Sequence, residues 1–212
     1  MLPVFPLTGV LLLPGGRLPL HIFEPRYLNM VTDALGGERL IGMVQPRAPE
    51  EASTASSVGD GADVYETGCA GRITEFSETP DGRFLIALTG VSRFRIADEL
   101  SIERGYRRVR PDWTPYLGDL DNGPGVLAGR ERLLDALEGF FSGKGIASDW
   151  AEIREWPDIT LVATLAMMCP FDAGEKQALL ECGSWEDRVR LLITLMEIAA
   201  HEGEADTPRA RH

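Results

Sequence analysis

The sequence predicts an α+β fold, β-rich in its first half and helical in its second. Three observations carry this. Up to residue 113 the apolar residues come in short runs cut by Pro and Gly. From residue 119 onward they recur at helical spacing, and a single helical stretch at 27–35 interrupts the early runs. Runs of strands followed by runs of helices read as α+β. The expected units are a β-rich part at 1–118, a helical part at 119–202 and a disordered tail at 203–212.

Taken in order, residues 4–5, 10–13 and 18–23 are apolar runs bounded by Pro3, Pro6, Pro14, Gly15, Gly16 and Pro19, which reads as buried strands with bends. Glu24-Pro25 opens a helix, because proline suits the first helical position, and Gly36-Gly37 closes it. Residues 39–45 read as a buried strand, and 46–61, poor in large apolar residues, as a mobile surface loop. Strands at 65–78 and 83–89 flank Thr79-Pro80-Asp81-Gly82, whose turn chemistry makes them a hairpin. Residues 91–96 form a further strand, with Val91, Phe94 and Ile96 buried and Ser92, Arg93 and Arg95 wet. Residues 106–113 are the last strand. Helices are then expected at 124–141, 149–155, 159–168 with Asp158 as cap, 176–181 behind an Asp172/Glu175 capping box, and 189–200 behind Ser184. Residues 201–212 read as frayed.

Hydrophobic content of 44% and charged content of 25% are ordinary for a soluble globular protein. The apolar stretch at 161–169 is too short to span a bilayer, and the N-terminus lacks the basic start of a signal peptide, so a cytoplasmic protein is expected, without membrane contact. The net charge is −12. Residues 1–110 carry 12 Lys/Arg against 14 Asp/Glu, and residues 111–212 carry 9 against 19. That balance disfavours nucleic acid and anionic membranes overall. Cys69, Cys169 and Cys182 are widely spaced and form no CxxC, so zinc and dithiol chemistry are not supported and buried free thiols are expected.

No catalytic set assembles. His21, His201 and His212 are the histidines, two of them near the end of the chain. His21, between Leu20 and Ile22, reads as a structural, half-buried imidazole rather than a base. The run Gly139-Phe-Phe-Ser-Gly-Lys-Gly145 falls short of a phosphate-binding loop, with Glu138 where glycine is required and Gly145 where Ser or Thr is. The carboxylates of 119–206 are spread out, as on a solvated face, so neither metal nor cofactor is expected. Glu24-Pro25-Arg26-Tyr27 sits on a rim between strand and helix, where capping and packing are favoured over ligand contact. Arg93, Arg95, Arg104, Arg107, Arg108 and Arg110 would make a basic face if their strands pair. Matching to nearby acids is the favoured reading.

Leu-Pro-Val-Phe-Pro-Leu at 2–7 and Leu-Leu-Pro-Gly-Gly-Arg-Leu-Pro-Leu-His-Ile-Phe-Glu-Pro-Arg-Tyr at 12–27 resemble the start of the Lon substrate-binding domain, most of all its small stand-alone bacterial members. The likeness continues in Tyr-Glu-Thr-Gly-Cys-Ala-Gly-Arg-Ile-Thr at 65–74, Pro-Asp-Gly-Arg at 80–83 and Leu-Thr-Gly-Val-Ser-Arg-Phe-Arg-Ile at 88–96. A looser one follows in Glu-Lys-Gln-Ala-Leu-Leu-Glu at 175–181 and Arg-Val-Arg-Leu-Leu at 188–192. The resemblance implies a PUA-like β-barrel with one early helix, then a helical bundle. A full Lon protease adds ATPase and Ser–Lys protease modules, for which 212 residues have no room. The expectation is therefore a non-catalytic polypeptide-binding module linked to protein quality control, with His21, Phe23, Glu24, Arg26 and Tyr27 lining or supporting its groove. The rival is an RNA-binding module using the strands that carry Arg93, Arg95, Arg107, Arg108 and Arg110.

Overall fold

The computed structural model of the chain describes residues 1–47, 63–120, 127 and 129–205. Six strands and one helix form its first half: β1 (Leu2–Pro6), β2 (Arg17–Ile22), α1 (Pro25–Leu35), β3 (Leu40–Val44), β4 (Thr67–Glu78), β5 (Phe84–Glu103) and β6 (Tyr106–Asp112). A 3₁₀ segment, Thr114–Leu120, leads to five helices: α2 (Arg130–Lys144), α3 (Trp150–Glu155), α4 (Asp158–Met168), α5 (Ala173–Glu181) and α6 (Trp185–Ala205).

The sheet order is β2-β5-β4-β3-β1-β6, and β6 returns to pair with β5. Five strands thus close a barrel, with β2 appended outside the ring. Closure is possible because β5 runs for 20 residues. Its first part pairs with β2 and β4, and its last part pairs with β6. Residues 83–89 and 91–96, expected as two strands, are this single strand. The pairing shifts by one residue between Gly90 and Ser92, and a bulge of this kind bends a strand without ending it. Parallel pairing of β1 with β3 needs a long crossover, supplied through β2 and α1.

Alternation sorts the side chains. Leu2, Val4, Val44, Ala70, Phe94 and Val109 fill the barrel. Phe94 is its largest plug, and it requires glycine opposite: a Cβ on Gly42 or Gly68 would lie 2.8 or 2.7 Å from the Phe94 ring. The opposite parity, including Phe5, Ile41, Met43 and Cys69, faces outward into a larger core shared with α1 and the helices. Residues 10–13 are not a strand. Leu11, Leu12 and Leu13 are buried there in irregular backbone between a turn at Thr8-Gly9 and another at Pro14-Gly15. Proline and positive-φ glycine end a ladder before it starts, yet do not stop the leucines from packing.

Helix α1 starts at Pro25 and ends at Gly36, as its punctuation predicts. The β5–β6 hairpin turns on Arg104-Gly105, both at positive φ (51° and 86°). That tip clamps α1: the Arg104 side chain pairs with Asp33, Asn29 donates to the Arg104 carbonyl (3.1 Å), and the Tyr106 hydroxyl donates to Asp33 (2.8 Å). In the helical half, Asp149 caps α3 and the Asp172/Glu175 capping box forms in full. Asp158 is not a cap. It lies inside α4, where its carboxylate binds Arg130 and accepts from the Leu127 amide (2.8 Å). Helix α2 is described from Arg130. Its expected start at 124–126 lies outside the described residues, as do 48–62 of the expected loop and 206–212 of the expected tail. Pro46 belongs to a bridge with Val64, and α6 continues through the 201–205 stretch expected to fray.

Helix α5 joins the halves by hydrogen bonds along its length. Gln45 donates to the Ala173 carbonyl (2.7 Å), Lys176 to the Gly9 carbonyl (2.9 Å) and Gln177 to the Thr67 carbonyl (3.2 Å). Arg93 completes the seam. Its guanidinium binds Asp119 with both arms (2.9 and 2.7 Å) and donates to the Leu180 and Cys182 carbonyls (3.1 and 2.7 Å). The expected wet face of β5 therefore fails at Arg93, which is only 7% exposed. Asp119, placed by the 3₁₀ segment, is what makes its burial tolerable.

Candidate functional site

Strand β2 lies at the edge of the sheet and pairs only with β5 among the described residues. Its main-chain polarity follows from two bonds just before it. Gly90 donates to the Gly16 carbonyl (2.8 Å), and Gly15 donates to the Gly90 carbonyl (3.0 Å). On β5 the even positions therefore face β2, and their register partners are Leu18, Leu20 and Ile22. The main-chain groups of Arg17, Pro19 and His21 point the other way. Pro19, which has no N–H, sits at a position where the β2–β5 ladder asks for none.

The side chains divide by the same parity. Leu18 and Leu20 are half-buried against the larger core, and Ile22 is buried. Arg17, Pro19 and His21 lie on the other, exposed face. His21 is thus exposed rather than half-buried, because β2 has no neighbour beyond it to cover that face. Phe23 follows the strand at 59% exposure, with its ring 6.0 Å from that of His21. Leu85, the register partner of His21 on β5, is 46% exposed. Sequence reading missed Leu85 and Pro19. Leu85 becomes legible only when register places it beside His21.

Glu24, Arg26 and Tyr27 support this rim from inside. Glu24 stands at the N-cap position of α1 and accepts from Arg26 Nε (3.0 Å). The Arg26 guanidinium lies 4.7 Å from the centre of the Tyr27 ring, and that ring lies 4.1 Å from that of Phe5. Tyr27 is 5% exposed and belongs to the core. Of the five rim residues, His21 and Phe23 are exposed, Glu24 and Arg26 are half-buried, and Tyr27 is buried. The start of β2 runs under α4, for a Cβ on Gly16 would fall 2.4 Å from Met167 Sδ.

The arginines of β5 and β6 are not gathered on one face. Arg93 is turned into the seam, where burial opposes its charge and Asp119 more than offsets this, holding the guanidinium above its ordinary value. Arg107 lies on the barrel side of β6 and grips Glu99 with two bonds (2.6 and 2.7 Å). Arg108 pairs with Glu103, and Arg110 pairs with Asp98 (2.6 Å). Arg95 is exposed on β5.

Among the described residues no Ser or Cys is hydrogen-bonded to a histidine, and no group of three His, Cys, Asp or Glu is placed to hold a metal. Burial pushes the Cys69 thiol well up and the Cys169 thiol to about 11, which leaves both un-ionised and unreactive at neutral pH. No helix among the described residues is long and apolar enough to cross a membrane.

The sequence model of the ATP-dependent protease La (LON) substrate-binding domain matches residues 1–197. The chain belongs to this family. The Lon protease 2 of Sorangium cellulosum is 25% identical to it over 92% of the chain, and the Lon protease 2 of Myxococcus xanthus 26% identical over 92%. The chain spans 24% and 23% of the lengths of those proteases. The crystal structure of a Lon N-terminal domain protein from Xanthomonas campestris matches the fold with a TM-score of 0.59 at 23% identity, covering 91% of this chain and 96% of that one. His21 and Phe23 lie within the residues that the family model matches.

Proposed function

We propose that this member of the Lon substrate-binding family is a polypeptide-binding module without chemistry of its own, which recognises exposed apolar segments of other proteins in protein quality control. The observation that supports this most is the rim itself. His21, Phe23 and Leu85 present apolar and aromatic surface to solvent at the end of β2, and Glu24, Arg26 and Tyr27 open α1 directly after it. An exposed aromatic on a buried platform is the usual shape of a recognition surface. The nearby charges are paired, Arg17 with Glu75 (2.7 Å) and Arg26 with Glu24 (2.9 Å), so nothing here selects a charged ligand.

The test is capture of an unfolded protein by the immobilised chain. Reduced, carboxamidomethylated α-lactalbumin is expected to be retained, and its native form is not. Phe23→Ser with Leu85→Ser should lower retention roughly thirtyfold, since each removes a contact of about 1 kcal/mol. Both side chains are exposed, so the melting temperature should hold. Equal retention of native and unfolded protein would sink the proposal.

A further inference from the structure

We propose that the occupant binds by strand addition: an extended, apolar segment of a non-native polypeptide pairs with the outer edge of β2 and continues the sheet. This rests on the polypeptide-binding reading and names how that site works.

The outer edge offers a main-chain row. Arg17 and His21 each turn an N–H and a C=O outward, and Pro19 turns a C=O outward, as the β2–β5 register requires. The row from Arg17 to His21 spans roughly 13 Å, four steps of about 3.3 Å, which a segment of five to seven residues covers. An extended backbone is the chemical complement of such a row, in which donors and acceptors recur on every second residue.

The side chains choose the segment. On one face it would meet Leu18 and Leu20, whose half-burial leaves apolar surface at the open edge. On the other it would meet Pro19, His21 and, one strand further in, Leu85. Apolar residues at alternate positions fill the Leu18 and Leu20 face, which continues the larger core. Charge complementarity points the same way. Three ion pairs stand near the edge: Arg17 with Glu75, Arg26 with Glu24, Arg83 with Asp81. The chain as a whole carries −12 and repels acidic segments. A neutral, apolar strand is what remains. Such segments are buried in folded proteins and exposed in unfolded ones.

A second copy of the chain fits less well. Two-fold antiparallel pairing of β2 with itself, centred on the strand, sets Pro19 against Pro19, and neither has an N–H to give. A foreign strand loses one donor at that point instead of two.

The experiment is fluorescence anisotropy of the full chain with a fluorescein-labelled nine-residue peptide alternating Val and Thr. Two derivatives carry backbone N-methyl groups, one on every Val and one on every Thr. Strand addition exposes only one parity of the peptide's N–H groups to β2. One derivative should therefore bind roughly tenfold or more weakly than the parent, and the other should bind as the parent does. Equal effects of the two methylations overturn the proposal. In the protein, His21→Pro removes an outward N–H without touching the β2–β5 ladder and should bind the parent peptide roughly tenfold more weakly than His21→Ala, which removes the side chain and keeps the N–H. If His21→Pro fails to fold, the methylated peptides on the unaltered chain decide. Sedimentation showing a peptide-displaced dimer would assign the edge to a second copy and overturn the proposal. No binding of the parent peptide, together with no retention of unfolded α-lactalbumin, removes the polypeptide reading itself. Binding without parity dependence removes strand addition alone.

Discussion

Arg93 is the residue on which the junction of barrel and helices turns. By alternation along β5 it belongs opposite Phe94, on a face that sequence alone would leave wet. In the fold it is covered by the 3₁₀ segment, whose Asp119 takes two of its arms and whose Tyr116 ring lies 4.5 Å beneath it. Its remaining donor caps the carboxyl end of α5. Removing it strands a buried carboxylate and two carbonyls. Arg93→Met is expected to destabilise the protein by about 3–5 kcal/mol in chemical denaturation. Adding Asp119→Leu should recover part of that loss, because removing both partners of a buried pair costs less than removing one. A double variant as unstable as the sum of the singles would contradict this. His21 is the converse case. Its apolar neighbours suggested cover, but cover depends on what lies beside β2, which no local pattern encodes.

At the scale of the element, α5 is a short helix given a long task. Nine residues carry the capping box at one end and the Arg93 contacts at the other, with Lys176 and Gln177 reaching the barrel between. Asp172 accepts from the Glu175 amide (2.7 Å) and Glu175 accepts in return from the Asp172 amide (2.8 Å). Asp172→Ala should lower stability by about 1 kcal/mol, seen as a fall in melting temperature. Hydrogen exchange should then quicken first at the Lys176 and Gln177 amides. Unchanged exchange there would mean that the barrel, not the cap, holds α5. The capping box was legible in the sequence because it is a local signal with fixed spacing. The ends of α1 and the Thr79–Gly82 turn were legible for the same reason. The bend in β5 was not, because a bulge depends on what the partner strand presents.

For the whole molecule, buried titratable groups set the alkaline limit. Burial raises Cys169 from 9.0 to about 11, raises Cys69 further, and raises Tyr106 to about 12. Below pH 9 the thiols are protonated in both states and their contribution is fully present. Between pH 9 and 11 the unfolded chain releases protons that the folded chain retains, so stability falls as pH rises. Lys176 acts in the opposite sense, since burial holds its ammonium below the ordinary value and deprotonation relieves that strain. Burial raises the Cys182 thiol too, and the raised acids outweigh Lys176 in this range. Stability is expected to decline from pH 9 to 11, with Cys169 alone contributing up to about 2–3 kcal/mol. Denaturation across this range on the protein and on Cys169→Ala checks it, and the variant should show a shallower decline. A flat profile for both would show that the thiols are hydrated in the folded state.

The α+β order, the early helix with its proline and glycine punctuation, the strands around the Thr79–Gly82 turn and the kinship carried by residues 2–27 were determined by the sequence by itself. Each is written in side chains that act within a few residues of one another. The tertiary structure alone decided that β5 runs unbroken to close a barrel, that Arg93 goes inside while His21 stays out, that the basic residues of β6 point to different sides, and that Leu85 stands beside His21. Those outcomes depend on register and on which surface meets which, and the partners involved lie tens of residues apart in the chain.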